Sequence, residues 1–269
     1  MAGVLYIVST PIGNLSDITL RAIETLKNSD IILAEDTRTT SILLNKYEIK
    51  TKLISYHKFS EKEKAPDIIN LILNENNIAL VSDAGTPLIS DPGNILVEEA
   101  VKNNIKIIPI GGISAVTALI QSVKRTDEDF KFLGFMPKEK GLIEKTILNN
   151  KFENLIFYES PKRILNTLNI ILNTDDKRLI SIGRELTKKF EEIKTDRIEN
   201  FINHYKLNPP KGEFVCLLHK KTTNIEDETL KEKIKLLKNK NYTLKDISTI
   251  LEITDRAPKN KIKTLFLND

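Results

Sequence analysis

The stretch Leu5–Thr40, LYIVSTPIGNLSDITLRAIETLKNSDIILAEDTRTT, decides the fold. The apolar run Val4 to Val8 breaks abruptly into Ser9-Thr10-Pro11-Ile12-Gly13-Asn14, and a helix-period segment starts near Asp17. A second apolar run, Ile31 to Ala34, ends in Glu35-Asp36-Thr37-Arg38. The pattern reads as strand, glycine-containing turn, helix, strand, with a charged cluster closing the second strand. In open α/β sheets ligands bind beyond the carboxyl ends of the strands, so both loops fall in one candidate site.

The alternation continues outward from this stretch. Ile78 to Ser82 reads as a strand, Ile95 to Lys102 as a helix, Ile105 to Ile108 as a strand and Ser114 to Ser122 as a helix. Such a series predicts a mainly parallel sheet with helices on its faces. The polar, aperiodic run Lys124–Asp129 marks a boundary. Beyond it come strands near Phe132–Phe135, Leu155–Tyr158, Leu179–Ile182 and Phe214–Leu218. Helices over Leu142–Leu148, Arg163–Leu172 and Ile198–His204 lie between them. The expected architecture is two α/β domains, residues 1–123 and 124–222. A small basic helical extension, residues 223–269, follows. Its helical segments are Glu228–Leu237, Leu244–Leu251 with Thr243 as a candidate N-cap, and Asp255–Leu267 with Pro258 in the first turn, separated from the second by a Glu252-Ile253-Thr254 turn.

Of 269 residues, 40% are hydrophobic and 29% charged, which describes a soluble globular protein. No apolar run approaches the ~18 residues that span a bilayer. Met1-Ala2-Gly3 leads straight into a strand, which predicts no signal peptide and a cytoplasmic location. Cys216 is the only cysteine and sits in an apparent strand, so it reads as a small core residue. His57, His204 and His219 share no ligand spacing with it, and no metal site is expected. The formal charge of +4 is concentrated at one end. From Lys220 to Asp269 there are 12 Lys and Arg against 8 Asp and Glu, and the residues before are neutral. A phosphate-rich partner fits that excess, as does a solvated lysine face.

Three loops carry the chemistry of the first half. Neither G-x-G-x-x-G nor GxxxxGK[ST] occurs, which argues against a dinucleotide enzyme or an NTPase. Ser82-Asp83-Ala84-Gly85-Thr86-Pro87-Leu88-Ile89-Ser90-Asp91-Pro92-Gly93 is a stiff loop whose backbone can approach a ligand. Asp83, at the strand's end, is placed to accept from an ammonium or ribose hydroxyls, whereas Asp91-Pro92-Gly93 reads as a turn into a helix. Pro109–Ala115 is a third loop, whose small residues suit either a flat ring or close strand–helix packing. Three loops on one sheet edge favour a shared cofactor cleft. In the second half, Tyr158-Glu159-Ser160-Pro161-Lys162-Arg163, Gly183-Arg184-Glu185 and Lys211-Gly212-Glu213 sit at strand ends. Gly134–Gly141 is a basic loop suited to phosphate contacts. Pro161 suits a first helical position, which puts Lys162 and Arg163 by a helix N-terminus.

Together the segments LYIVSTPIGNLSDITLRA, AEDTRTT, IALVSDAGTPLISDPG, SAVTAL, GFMPKEKG, LIFYESPKRI, RELTK and KGEFV resemble the ribosomal RNA small subunit methyltransferase I family of the tetrapyrrole methylase superfamily. They run in the family's order from Leu5 to about Leu218. The resemblance implies two α/β domains, S-adenosylmethionine in the cleft and a homodimer. It also implies methyl transfer to the ribose 2′-oxygen of a cytidine in the decoding region of 16S rRNA. Carried over by motif, Pro11 belongs to the first cofactor loop, Asp83, Ala84, Gly85 and Thr86 to the second, and Ser114 and Ala115 to the third. Tyr158, Glu159 and Gly212 close the cleft, and Glu35-Asp36-Thr37-Arg38 falls on the substrate side. The chain departs from the family at Gly111-Gly112-Ile113, where PGP is usual, and at His57–Glu61.

A ribose hydroxyl needs its proton removed, and Glu185 and Asp36 are the candidate bases. Arg38, Lys138, Lys140, Lys162, Arg163 and Arg184 are the candidate RNA phosphate contacts. The rival readings are a corrin or porphyrin C-methyltransferase on the same fold and a non-catalytic ribosome-binding protein.

Overall fold

The structure, a computed structural model, describes residues 2–125, 128–221, 227–255 and 257–267. The chain forms two compact units, Met1–Lys220 and Lys221–Asp269. The first unit holds two five-stranded sheets.

The first sheet has the order β3-β2-β4-β1-β5, from β1 (Val4–Val8), β2 (Ile31–Ala34), β3 (Lys52–Ser55), β4 (Ile78–Val81) and β5 (Lys106–Ile110). All four pairings are parallel. Every residue of β2 and β4 is buried, which is why they read as unbroken apolar runs. Crossovers run through α1 (Leu20–Asn28), α2 (Thr37–Lys46), α3 (Glu61–Leu73) and α4 (Asn94–Lys102), and α5 (Ala115–Ser122) follows β5. Strand β3 and helices α2 and α3 add a full βα crossover to the alternation legible in the sequence.

Adjacency in this sheet positions the site. Strands β4 and β5 flank β1, with Val8 opposite both Val81 and Ile110. Parallel strands end on one side, so the loops after β1, β4 and β5 emerge side by side.

The second sheet, β6-β7-β10-β8-β9, is mixed. It comprises β6 (Lys131–Phe135), β7 (Leu155–Glu159), β8 (Leu179–Arg184), β9 (Glu192–Arg197) and β10 (Phe214–Leu218). The β6–β7 pair is parallel, and β10 runs antiparallel to both β7 and β8. Strand β9 is a polar edge strand that the hydrophobic pattern does not reveal; it pairs with β8 as an antiparallel neighbour. Helices α6 (Lys140–Asn149), α7 (Ile164–Thr174) and α8 (Ile198–Leu207) cover one face, over a core that includes Phe157, Ile182 and the buried free thiol of Cys216. Helix α7 starts one residue later than the sequence suggests, with Arg163 as its N-cap, so Pro161 lies in the preceding turn.

One buried cation braces this sheet. Arg178, 1% exposed, donates from Nε to His219 O (2.6 Å), from Nη1 to Asn150 O (3.2 Å) and from Nη2 to Glu153 O (2.7 Å) and Leu218 O (3.3 Å).

The second unit packs α9 (Asp227–Asn239), α10 (Leu244–Asp255) and α11 (Lys259–Leu267) around Leu230, Ile234, Ile247, Leu251, Ile262 and Leu265. Thr243 Oγ1 accepts from Asp246 N (3.3 Å) while Asp246 Oδ2 accepts from Thr243 N (3.0 Å), a reciprocal cap that starts α10. Helix α10 continues through Glu252–Asp255, where the sequence suggests a turn; Glu252, Ile253 and Thr254 are exposed there, and Asp255 pairs with Lys233 of α9. Pro258 precedes α11 and accepts from Ile262 N.

Candidate active site

The three loops of the first sheet are bonded into one surface. Thr10 N donates to Gly85 O (2.8 Å), and Gly85 N donates back to Thr10 O (3.0 Å), tying the first loop to the second. The Ser9 and Thr86 hydroxyls lie 3.1 Å apart. The third loop presses so closely on the first that a Cβ at Gly112 would stand 2.7 Å from that of Ser9, which excludes any side chain there. Ser114 caps α5 by accepting from Thr117 N, fixing the start of that helix at the loop's end. Helix α3 supplies a further brace: buried Glu61 accepts through Oε1 from Gly93 N (2.6 Å) and Ile95 N (3.3 Å), anchoring the end of the second loop.

The second sheet contributes the opposite wall. Because β10 is antiparallel to β7 and β8, its start lies beside their ends: Phe214 stands opposite Glu159 and Arg184. Gly212, Glu159 and Leu186 meet there, far apart in sequence. Glu159 is buried, and its carboxylate accepts from Ser160 N (2.8 Å) and Thr167 Oγ1 (2.6 Å) and pairs with Arg163 (3.2 Å). Arg163 also donates to Met136 O (2.9 Å) and Pro137 O (2.5 Å), so its guanidinium pins the 134–141 loop internally. Tyr158 packs edge-on against Phe132 and Phe135. Burial and the charge of Asp91 push its hydroxyl up to about 12.

Between these walls lies a cavity of about 410 Å³. It is lined by Asp83, Ala84, Gly85, Thr86, Ser114 and Ala115 from one side and by Tyr158, Glu159 and Gly212 from the other. Its charge is one-sided. Glu35, Asp83, Asp91, Glu159 and Glu213 all line it, and among the described residues no Lys, Arg or His does. Burial raises the Glu35 carboxyl above its ordinary range, and the charges of Asp83 and Asp36 outweigh the opposing influence of His57. Burial, reinforced by Glu35 and Asp83, pushes Asp91 up to about 7.

A second cavity of about 380 Å³ shares Ile12, Asp83, Ala84 and Glu213 with the first. Pro11 lines this second space, together with Thr39, Thr40 and Lys188.

The candidate bases stand elsewhere. Asp36 caps α2 and its carboxylate binds Arg38 at 2.6 and 3.0 Å; those hydrogen bonds hold it down at about 2. Its backbone N–H donates to Asp83 Oδ1 (2.8 Å). Glu185 lies behind Gly212 and lines neither cavity. Its Oε1 accepts from Lys188 Nζ (2.9 Å) and Glu213 N (3.0 Å). Burial alone would raise its carboxyl, but these bonds and the Lys188 and Arg184 charges outweigh that and lower it. Among the cations, Arg184 is bound to Glu192 (3.1 Å) and Arg38 is 89% exposed. Lys138, Lys140 and Lys162 are exposed, with Lys140 3.7 Å from Glu144. Motif reading puts Glu35 on the substrate side and Asp91 in a turn into a helix; both line the cavity. The register could have pointed to Glu35, since Ala34 pairs with Val81 and the next residues run beside Ser82 and Asp83. Among the described residues no cluster of metal-ligating side chains occurs, and no helix is long and apolar enough to cross a membrane.

A parallel sheet and a mixed sheet enclose an acidic cavity built from strand-end loops, which makes this an α/β protein with a ligand site at its strand ends. The family model for Tetrapyrrole (Corrin/Porphyrin) Methylases matches residues 4–202, and the chain belongs to that family. It is 45% identical over 229 residues to a ribosomal RNA small subunit methyltransferase I of Halalkalibacterium halodurans, covering 84% of this chain and 79% of that one. A protein of the same name from Buchnera aphidicola is 42% identical, with 92% and 85% covered. The fold also resembles diphthine synthase, at TM-score 0.65 and 15% identity over 82% of this chain and 91% of that one. Cobalt precorrin-4 methyltransferase gives 0.60 at 13%, over 80% and 94%.

Proposed function

We propose that this protein methylates 16S rRNA of the small ribosomal subunit, transferring a methyl group from S-adenosylmethionine to the ribose 2′-oxygen of a decoding-region cytidine. The observation that carries the rRNA reading is the 42–45% identity, over most of the chain, to proteins named ribosomal RNA small subunit methyltransferase I. The charge of the cavity fits the donor. S-adenosylmethionine carries a sulfonium and an ammonium. Of the carboxylates lining the pocket, Glu159 and Glu213 are paired with Arg163 and Lys188, while Glu35, Asp83 and Asp91 pair with no cation among the described residues. Such a lining favours a cationic ligand over a polyphosphate nucleotide.

The residues that would hold it are Asp83, Ala84, Gly85, Thr86, Ser114 and Ala115 on one wall and Tyr158, Glu159 and Gly212 on the other, with Pro11 at the second cavity. When bound, it supplies a methyl group already activated on positive sulfur. The chain's own work is alignment: the bonded Thr10–Gly85 loops stiffen one wall and the Glu159–Arg163 brace stiffens the other, which favours an in-line approach of the acceptor. Tyr158, Phe135 and Leu186 contribute apolar surface that excludes water from the reacting atoms. Exposed Arg38, Lys138, Lys140 and Lys162 supply charge for RNA phosphates, and the lysine-rich unit 221–269 supplies more. The working form is a cytoplasmic homodimer with domain limits near residues 123 and 222.

The test is methyl transfer from labelled S-adenosylmethionine to small subunits that lack ribose methylation, with the modified nucleotide mapped. Label on a cytidine 2′-oxygen in the decoding region supports substrate and chemistry together. Cofactor binding without label on the subunit, and label on a corrin or porphyrin instead, would move the assignment to the small-molecule branch of the family.

A further inference from the structure

We propose that Asp91, at the far end of the 82–93 loop, is the group that takes the proton from the acceptor hydroxyl; this rests on the hydroxyl-directed reading above. The argument is one of elimination around the cavity. Glu159 is saturated by Ser160 N, Thr167 and Arg163. Asp83 accepts the Asp36 N–H, and Glu213 pairs with Lys188. Glu185 and Asp36 lie outside the cavity and are bonded to cations. Glu35 and Asp91 are left, and among the described residues neither directs its carboxylate at a protein donor. Of the two, Asp91 lies where the walls meet: it lines the cavity together with Tyr158, and its neighbour Ser90 faces β6, where a Cβ at Gly134 would stand 3.5 Å from Ser90 Oγ.

The groups facing Asp91 are Glu35 at the end of β2, Asp83 at the end of β4 and Tyr158 on β7, none of them cationic. Burial and its acidic neighbours raise it to about 7, near the working pH at which a base must exchange its proton. A cationic ligand favours the carboxylate, so binding at pH 7 expels the proton and leaves the base ready. The step then balances. The oxygen–hydrogen bond breaks toward Asp91, and the oxygen's electron pair forms the new oxygen–carbon bond. The pair from the broken carbon–sulfur bond stays on sulfur as a neutral thioether, and Asp91 afterwards returns its proton to water.

The experiment combines binding with turnover on the full-length protein. Calorimetry of S-adenosylmethionine binding at pH 7, in two buffers of different ionisation heat, counts protons released. Wild type is expected to release protons on binding, following the raised level of Asp91, and Asp91→Asn clearly fewer. Single-turnover methyl transfer by Asp91→Asn is expected to fall about 100-fold or more, the usual range for losing a general base, while the donor still binds. Glu35→Gln removes a neighbouring negative charge and is expected to shift the acidic limb of the rate profile to lower pH. A rate for Asp91→Asn within about tenfold of wild type, an unchanged proton count, or an unmoved limb in Glu35→Gln would each overturn the assignment. Wild type that binds donor yet labels no hydroxyl would overturn the hydroxyl reading and this assignment with it.

Discussion

Replacing Gly212 by Ala is expected to unseat Glu185, and the cost divides into two separable parts. Gly212 has φ +89°, and a Cβ there would lie 2.5 Å from Glu185 Oε1 and 2.6 Å from its Cδ and Cγ. The first part is the left-handed backbone, about 1.5 kcal/mol for a residue with a Cβ. The second is the forced departure of the Glu185 carboxylate from Glu213 N and Lys188. A charge-assisted bond to a backbone N–H and a partly exposed ion pair together contribute about 2 kcal/mol. Gly212→Ala should therefore lose about 3.5 kcal/mol and Glu185→Ala about 2 kcal/mol. In a protein already lacking the Glu185 side chain, the glycine substitution should cost only its backbone part. The double variant is then no less stable than Gly212→Ala alone, a coupling of about 2 kcal/mol. Urea unfolding followed by far-ultraviolet circular dichroism measures all four proteins. Simple additivity of the two substitutions would refute the contact as the origin of the effect.

Three further outcomes are expected. Asp91 is raised from an ordinary 3.8 to about 7, so the folded state binds its proton more tightly than the unfolded chain; that stabilisation is full below pH 4 and lost as pH rises to 7. Asp91→Asn should accordingly gain stability relative to wild type between pH 4 and 7, as read from melting temperatures across that range, and a constant difference would count against the shift. Arg178→Met removes four hydrogen bonds and leaves buried carbonyls unpaired, so a loss of about 3 kcal/mol or more is expected in urea unfolding; a loss under about 1 kcal/mol would mean water replaces the guanidinium. Lys138→Ala, Lys140→Ala and Lys162→Ala should each reduce the salt dependence of RNA binding by up to about one unit of slope, whereas Arg163→Met should instead loosen the 134–141 loop and increase its cleavage by protease.

Much of the frame was legible in order along the chain. The parallel sheet followed from apolar runs alternating with helix-period segments, and β2 and β4 were plain because strands buried on both faces carry no polar alternation. Strand β9 was not, because Glu192–Arg197 is a polar edge whose only structural signal is its partner β8. The glycine loops were visible as composition, and the family resemblance gathered them into one site. What each charge does was not visible. Arg163 reads as a free cation beside a helix start, yet it turns inward to Glu159 and the 134–141 loop. Glu185 reads as an acid among basic residues, yet it is held behind Gly212 by Lys188.

The sequence by itself therefore determined the α/β alternation, the three loops and the family, because periodicity and turn chemistry are local properties that the chain carries in order. Only the tertiary structure decided that Glu35, Asp83 and Asp91 line one cavity and that Glu159 is saturated by Ser160, Thr167 and Arg163. The strand order β3-β2-β4-β1-β5 brings ends together from positions 35, 83 and 112, and the antiparallel β10 brings Gly212 to Glu159. The charge state of a carboxylate depends on burial and on neighbours supplied by other strands, and these exist only once the sheets have formed.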